Sequence, residues 1–478
     1  MASLEPASTW ALLSTLSTFS GSRSYAPHFR ARGDRFRLTM RALCIIIDVV
    51  LVALAGCAEP DFADCTVSCN ANSDCPSGYT CGAGYCSRAS NQCNAAVADA
   101  GDDNSQPDHD GAMPGDDGGM KGDGGAGGFA FSNGLGQQYL EGVTGALVAQ
   151  GGTPITIDTD TGEILQDTFV IRHAGMGVKD GIFFGPHPGG TGSILAVASA
   201  ELGVHVEVIG DRALHIISAG DVHLTGVIEV AGGCTIGTEL VKYCGGPGGG
   251  DGVTDTGPPS FCGSGDSGDG GNGGGGGGHG QPGAGGVLTD CSDVEGGMTC
   301  GTASLEPLTG GGGGGAAEAS HAFGGGGGGA IQIASYTIIE IGEPRDGAAA
   351  DGINAGGAGG EGGFQGGGGG GAGGAILLEA PAVILHDNAV LAANGGGGGC
   401  GRGSEPGGGG DLAGFGIGGC LSTDGEGGHG GDLATPTQGT CLGGHGGGAG
   451  RIRINTSAGG LDDLGATISP TPSLDTTR

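Results

Sequence analysis

The chain has 478 residues, of which 121 are glycine, and its 51 acidic and 17 basic side chains give a net charge of −34. Average proteins contain roughly 7% glycine, but no strict Gly-x-y period runs through this chain, so a collagen triple helix is excluded. Aromatic residues make up 4% of the chain, which excludes a large aromatic core. The acidic balance argues against nucleic acid as a partner, because no basic face exists to neutralise phosphates.

The first predicted element along the chain is an export signal. Residues 42–53 form a short apolar run, whereas a helix that spans a bilayer needs about 20 such residues. Arg41 precedes the run and the small residues 54–57 (LAGC) follow it, which is the order typical of a signal peptide. This tetrapeptide resembles the lipobox of bacterial lipoproteins.

The lipobox resemblance implies cleavage before Cys57, attachment of a lipid to its sulfur, and anchorage at the outer membrane or the cell surface. Residues 40–56 are then the lipoprotein signal peptide. Residues 1–39 are interpreted as a mis-assigned leader, because this Ser- and Arg-rich stretch precedes a well-placed methionine, Met40, at which translation is expected to start.

Residues 57–93 are predicted to be a small module held together by disulfides. The stretch has few apolar side chains, so burial of a core cannot stabilise it. An even number of cysteines in an exported chain predicts three disulfides of open connectivity. The six cysteines are Cys65, Cys69, Cys75, Cys81, Cys86 and Cys93. Their C-x5-C-P-x-G-x-x-C-x4-C spacing resembles Dickkopf-type and small EGF-like modules, and similar modules follow lipoboxes in bacterial surface lipoproteins.

Residues 94–128 are rich in Asp and Gly and contain almost nothing to bury. Such a composition predicts a disordered linker between the small module and the rest of the chain.

Residues 129–478 are predicted to form one all-β domain. Short β-branched runs with period-two alternation, typical of half-buried strands, begin at Ala213, Ala330 and Ala375, and a partial copy begins at Arg451. Each unit is too short to bury a face alone, so stacked units are expected, in a right-handed parallel β-helix, or β-solenoid. A β-sandwich with Greek-key returns is the alternative. The residues expected to stack in one interior column are Leu214, Ile331, Ile376 and Ile452.

Long glycine tracts interrupt these runs, and 84 of the 220 residues from 231 to 450 are glycine. Glycine is unfavourable inside a strand, so the tracts are not expected to be strands. Two interpretations remain open: disordered insertions at the corners of the solenoid, or ordered polyglycine II, with three residues per turn. The glycine-rich pattern of residues 351–371 resembles mycobacterial PGRS repeats and other bacterial glycine-rich surface proteins.

Eight cysteines lie in or beside the glycine tracts and are expected to form loop disulfides in an oxidising compartment. They are Cys234, Cys244, Cys262, Cys291, Cys300, Cys400, Cys420 and Cys441.

The sequence contains no pattern that indicates catalysis. Neither HExxH nor a P-loop nor a nucleophile elbow occurs, and GxGxxG matches carry no information in a region so rich in glycine. No metal site and no cofactor are predicted, although Asp158 and Asp160 resemble half of a calcium loop. His215 and His223 alternate outward from a predicted strand and are expected at the surface.

Together these patterns predict a lipid-anchored cell-surface protein with a structural, adhesive or surface-display role and no catalysis. Its expected partners are the membrane, through the lipid, and extracellular polysaccharide or protein surfaces. The alternative is a β-helix enzyme that degrades polysaccharide, and a groove lined by paired carboxylates would favour it. A binding module for ice would need a flat, regular Thr or polyglycine face.

Overall fold

The computed structural model describes residues 129–236, 239–254, 263–269, 272–285, 294–343, 350–420, 425–432 and 434–478, and the backbone of residues 80–82 and 85–87. The chain divides into two compact units, residues 1–119 and 120–478. In the first unit, β1 (Thr80–Gly82) and β2 (Tyr85–Ser87) pair antiparallel, with Cys81 opposite Cys86. The predicted signal peptide, Cys57, the other four cysteines of the module and the predicted linker lie outside the described residues.

The second unit is all-β in its described part, as the sequence predicts. Its only other regular elements there are two short 3₁₀ turns, Gln137–Tyr139 and Glu318–Ser320. Its strands are β3 (Leu147–Ala149), β4 (Ile155–Asp158), β5 (Ile164–Gln166), β6 (Phe169–Arg172), β7 (Gly177–Lys179), β8 (Ile182–Pro186), β9 (Gly192–Val197), β10 (Ala200–Leu202), β11 (Val206–Ile209), β12 (Ala213–Ser218), β13 (Val222–Leu224), β14 (Val227–Glu229), β15 (Cys234–Ile236), β16 (Glu239–Val241), β17 (Ala330–Ser335), β18 (Ile338–Ile341), β19 (Asp351–Asn354), β20 (Ala375–Glu379), β21 (Ala382–Leu385), β22 (Ala389–Ala392), β23 (Arg451–Asn455), β24 (Leu461–Asp463), β25 (Thr467–Ser469) and β26 (Ser473–Asp475).

Most of these strands belong to three sheets. Sheet 1 has the strand order β26-β23-β20-β17-β12-β9-β8-β7, sheet 2 has the order β24-β21-β18-β13-β10-β3, and sheet 3 has the order β25-β22-β19-β14-β11-β4-β5-β6. Strands β15 and β16 form a separate antiparallel hairpin.

The chain visits the three sheets in a fixed cycle. Five successive triplets each place one strand in sheet 1, one in sheet 2 and one in sheet 3, beginning with β9, β12, β17, β20 and β23. Neighbouring triplets pair in parallel in every sheet. A Greek-key sandwich would pair sequential strands antiparallel, whereas here antiparallel pairing in the three sheets is confined to β4–β5–β6 and β7–β8–β9.

One apolar core runs through all the triplets. In sheet 1, Leu214 pairs with Ile331, Ile331 with Ile376, and Ile376 with Ile452. All four side chains are buried in one cluster with residues of sheets 2 and 3, so the predicted interior column is confirmed. Alternate side chains face this core because successive residues of a strand point to opposite faces.

Candidate functional site: the glycine bundle and its junction with sheet 3

All three glycine-rich insertions leave the fold at the same place. They comprise residues 230–329, 355–374 and 393–450, and each follows a strand of sheet 3 and precedes a strand of sheet 1. Because the triplets stack in register, the insertions begin side by side. Their described parts pack against one another as a body that we name the glycine bundle.

The tract at residues 273–278 shows the order within the bundle. Gly274 and Gly277 donate backbone hydrogen bonds to Gly367 and Gly370, at 2.9 and 2.8 Å. Gly275 and Gly278, one residue further on in each case, donate instead to Asp266 and Gly263, on a different segment. In both of these pairs, residues three apart donate to the same neighbouring segment, which is the three-residue period of a polyglycine II helix, a structure without internal hydrogen bonds.

Each inner tract is surrounded on all sides by other backbones. Around residues 273–278 lie six segments, at residues 263–266, 283–284, 294–297, 312–315, 367–370 and 443–446. The tract at residues 366–372 has six neighbouring segments as well, at residues 274–275, 312–315, 323–326, 358–361, 396–399 and 442–445. Of the two open interpretations of the tracts, the structure shows the ordered one.

Close approach of backbones, and not unusual dihedral angles, requires glycine here. A Cβ added to Gly274 would overlap the carbonyl oxygen of Gly315, and one added to Gly371 would overlap that of Gly326. Neither glycine has a positive φ. A methyl group would therefore push backbone against backbone, and protein interiors absorb such overlap poorly.

The far end of the bundle consists of the turns between outgoing and returning tracts. They include the 3₁₀ turn at Glu318–Ser320, the turn around Phe364, which is 77% exposed, and residues 401–405. The turns meet one another, since Gly363 donates to the carbonyl oxygen of Cys400 at 2.8 Å.

The near end of the bundle forms a groove beside sheet 3. A cavity of about 500 Å³ is lined by Gly408, Gly409, Asp411, Ala413, Gly414, Phe415, Ile417 and Asp432. Asn394, at the start of the third insertion, donates from Nδ2 to the carbonyl oxygen of Asp411 at 2.9 Å and ties the groove to the end of β22. We name this feature the junction groove.

A half-buried carboxyl group of sheet 3 faces the same junction. Glu229 pairs across β11 and β14 with Glu207, and Nδ2 of Asn354 on β19 donates to Oε1 of Glu229 at 2.7 Å. Burial, with the charges of Asp411 and Glu207, raises the pKa of Glu229 to about 7, although the Asn354 hydrogen bond opposes this shift.

The outer face of sheet 1 is covered, which the sequence did not indicate. His215 points away from the core as predicted, but it is buried, so the expectation that it lies at the surface is wrong. Residues 131–143 pack over this face, and the ring of His215 stacks on His187 at 4.5 Å. Burial lowers the pKa of His215 to about 4.

A fully buried carboxylate, Glu379, lies on the same covered face. Its oxygens accept hydrogen bonds from Ser132, Gln332 and Asn455, and Nη1 of Arg478 lies 3.2 Å from Oε1. These partners compensate for the withdrawal of the carboxylate from water, so Glu379 is a structural group that holds Ser132 and the C-terminal Arg478 against sheet 1.

His223, predicted at the surface, is partly exposed on the outer face of sheet 2. Its Nδ1 lies 2.9 Å from Oε2 of Glu340, and Nε2 of His386 lies 2.8 Å from Oε1 of the same carboxylate. The His386 hydrogen bond is the main cause that holds the pKa of Glu340 below its ordinary value.

Some cysteines of the insertions form disulfides with a cysteine of the same insertion. Cys234 is bonded to Cys244 and Cys400 to Cys420, and Cys300 and Cys441 are also disulfide-bonded. Cys262 and Cys291 lie outside the described residues. Among the described residues, one cluster of potential metal ligands occurs, formed by Cys400, Glu405 and Cys420. Its two sulfur atoms are bonded to each other in the Cys400–Cys420 disulfide, so neither is a thiolate that could bind a metal ion.

Comparison with protein families, curated proteins and solved structures finds no match to this chain. Within the described residues, no helix has the length and apolar character needed to cross a bilayer.

Proposed function

We propose that this chain is a lipid-anchored cell-surface protein with a structural, adhesive or display role and no catalysis. The LAGC tetrapeptide ending at Cys57, behind a short apolar run, supports the anchor and the export. The proposed partners are the membrane, through the lipid, and polysaccharide or protein surfaces outside the cell.

We also propose that the three sheets are the faces of a right-handed parallel β-helix. The cyclic order of the triplets and their parallel pairing support this architecture. The single core shared by all three sheets supports it as well, since stacked units bury what one unit cannot.

The observation that carries the proposed function is the hydrogen bonding between glycine tracts. It makes a large insertion stiff although the tracts have no side chains of their own to bury. At the roughly 3.1 Å rise per residue of this helix, nine residues such as 366–374 extend roughly 28 Å from the sheets. A stiff arm of this kind suits the display of its end turns.

The proposed function is tested with the full-length chain in a Gram-negative host. We expect external protease to reach the wild-type protein on intact cells, and Cys57→Ser to abolish lipid labelling and surface exposure. Cells that carry the wild type should also retain cellulose particles or protein-coated beads better than cells with Cys57→Ser. Normal exposure and normal retention in Cys57→Ser would contradict the anchor.

The pairing of Glu229 with Glu207 favours a second candidate function, the hydrolysis of polysaccharide. Glycosidases use two carboxyl groups, one of which stays protonated near neutral pH. Purified protein incubated with a panel of soluble polysaccharides, with Glu229→Gln as the control, tests this candidate. Release of reducing ends by the wild type alone would favour the enzyme over the adhesive protein.

A further inference from the structure

The walls of the junction groove combine bare glycine backbone with exposed apolar side chains and carboxylates. Its lining is mainly apolar, with bare glycine backbone beside Phe415 and Ile417, whose side chains are 40% and 61% exposed. Its volume of about 500 Å³ falls in the range of ligand sites, roughly 300–1,000 Å³. Large apolar side chains left in contact with solvent around a cavity indicate a surface for binding.

Two glycines of the groove, Gly409 and Gly414, are not explained by close packing. A Cβ on Gly409 would have only the carbonyl oxygen of Gly357 within 4 Å, at 3.6 Å, which is an ordinary contact. No atom lies within 4 Å of a Cβ on Gly414, although its φ of +153° itself favours glycine. At Gly409, therefore, the missing side chain leaves space open rather than letting another backbone approach.

Two carboxylates line the apolar walls. Oδ1 of Asp411 accepts hydrogen bonds from the backbone of Ala413 and Gly414, and Oδ1 of Asp432 accepts one from Ala434. In each case the other oxygen has no hydrogen-bond partner among the described residues. No lining residue is basic, and the nearby Lys242 donates to the carbonyl oxygen of Gly407 at 2.9 Å.

We propose that the junction groove binds an arginine side chain of a partner polypeptide. A guanidinium group donates to carboxylates in a planar fork and stacks on aromatic faces, so it matches Asp411, Asp432 and Phe415 together. The methylene stem of arginine matches the exposed side of Ile417. The inference rests on the proposed adhesive role and names the chemistry of one contact surface.

Charge distinguishes arginine from the other occupants. The lining carries two acidic groups, Glu229 lies close by, and the whole chain has a net charge of −34, so an anionic ligand would be repelled. A neutral sugar could stack on Phe415, but it would leave the negative charges of the groove uncompensated. Lysine supplies charge without the planar fork.

The test measures binding of the peptide acetyl-Gly-Gly-Arg-Gly-Gly-amide to the full chain by ligand-observed NMR and calorimetry. Two probe peptides replace Arg with Lys or with citrulline, the neutral isostere. We expect binding of the Arg peptide at low salt, at least threefold weaker binding of the Lys peptide, and no detectable binding of the citrulline peptide. Raising the salt concentration should weaken the Arg complex.

Matched variants locate the binding in the groove. Asp411→Asn and Asp432→Asn keep an oxygen for the local backbone hydrogen bonds but remove the charge, and each should weaken binding about tenfold, as charge-assisted hydrogen bonds predict. The control is Asp463→Asn, since Oδ1 of Asp463 accepts from Gly465 and Ala466 in a similar turn on sheet 2. This control should leave the affinity unchanged.

Three results of the binding experiments would overturn the inference. The citrulline peptide could bind as tightly as the Arg peptide, or cellohexaose could bind equally well to the wild type and to the two aspartate variants. The third result is an affinity for the Arg peptide that is unchanged in both groove variants. These outcomes are separate from failure of the proposed function. If cells with Asp411→Asn and Asp432→Asn still adhere like wild type, the surface role stands and the arginine site falls.

Discussion

The strand triplets and the glycine bundle both pack closely, but by opposite means. In the triplets, Ile and Leu side chains fill the space between sheets, and apolar burial stabilises the arrangement. Where the glycine tracts of the bundle meet, no side chains separate them, and backbones approach until their peptide groups bond between tracts in several directions. The comparison teaches that the triplets tolerate a change of shape but no charge, whereas a glycine of the bundle that lies against another backbone does not tolerate even a methyl group.

The sharpest way to break the triplets is a charge in the interior column. Ile376→Asp should destabilise the domain by about 4 kcal/mol or more, because an unpaired carboxylate would be buried among Ile331, Ile452 and their neighbours. Thermal and denaturant unfolding measure the effect. The control Ile376→Val should cost only about 0.5–1.5 kcal/mol. A silent Ile376→Asp would refute the buried column.

The sharpest way to break the bundle is a shift of its three-residue phase. Deleting Gly369 alone should turn the following residues by a third of a turn, so that Gly370 and Gly371 no longer address His445 and Ala358. Each buried N–H that loses its acceptor costs about 1–3 kcal/mol. Deleting Gly368–Gly370 together removes one full turn and should lower the melting temperature less. Equal effects of the two deletions, or silence of both, would contradict the ordered bundle.

The junction between the two regions should show its own pH dependence. The pKa of Glu229 is raised to about 7, so the folded chain keeps a proton that the unfolded chain loses near pH 4.5. The resulting stability is complete below pH 4.5 and is lost as the pH rises through 7, by about 3 kcal/mol. Denaturant titrations across this range should show the loss in wild type and a flatter profile in Glu229→Gln. If the stability of wild type and of Glu229→Gln falls equally with rising pH, the pH dependence belongs to another titrating group.

A single methyl group tests the close packing of the bundle directly. Gly274→Ala should destabilise the domain by about 1–3 kcal/mol, since the new Cβ would overlap the backbone of Gly315. Gly409→Ala should stay within about 0.5 kcal/mol of wild type, because its nearest neighbour would lie at an ordinary contact distance. Comparable melting temperatures for the two variants would show that the tracts are looser than described.

The smallest expected effect lies on the outer face of sheet 2. Glu340, held between His223 and His386, has a lowered pKa, so its contribution to stability exists above the ordinary carboxyl pKa and is lost as the pH falls through the lowered one. Glu340→Gln should cost less than about 1 kcal/mol at pH 6, because such partly exposed pairs contribute little. A loss as large as that of Ile376→Asp would contradict a surface role for this cluster.

The strand triplets could be read from the sequence because each strand carries its own signal. Alternation with period two marks which residues face inward. Similar sequences that begin at Ala213, Ala330 and Ala375 allow the repeated units to be aligned with one another. The same reasoning placed Ile331 above Leu214 correctly. It failed at His215, because the cover over sheet 1 comes from residues 131–143, far away in the sequence.

By itself, the sequence determined the all-β class, the repeat and its interior column, and the abundance of bare backbone. Only the tertiary structure decided that the glycine tracts are ordered, because a glycine run carries no side-chain pattern and gains order only from its neighbours. Their alignment depends on three insertions leaving the same corner of stacked triplets. The raised pKa of Glu229 exists for a related reason, since it depends on Glu207 of sheet 3 and on Asp411 of an insertion distant along the chain.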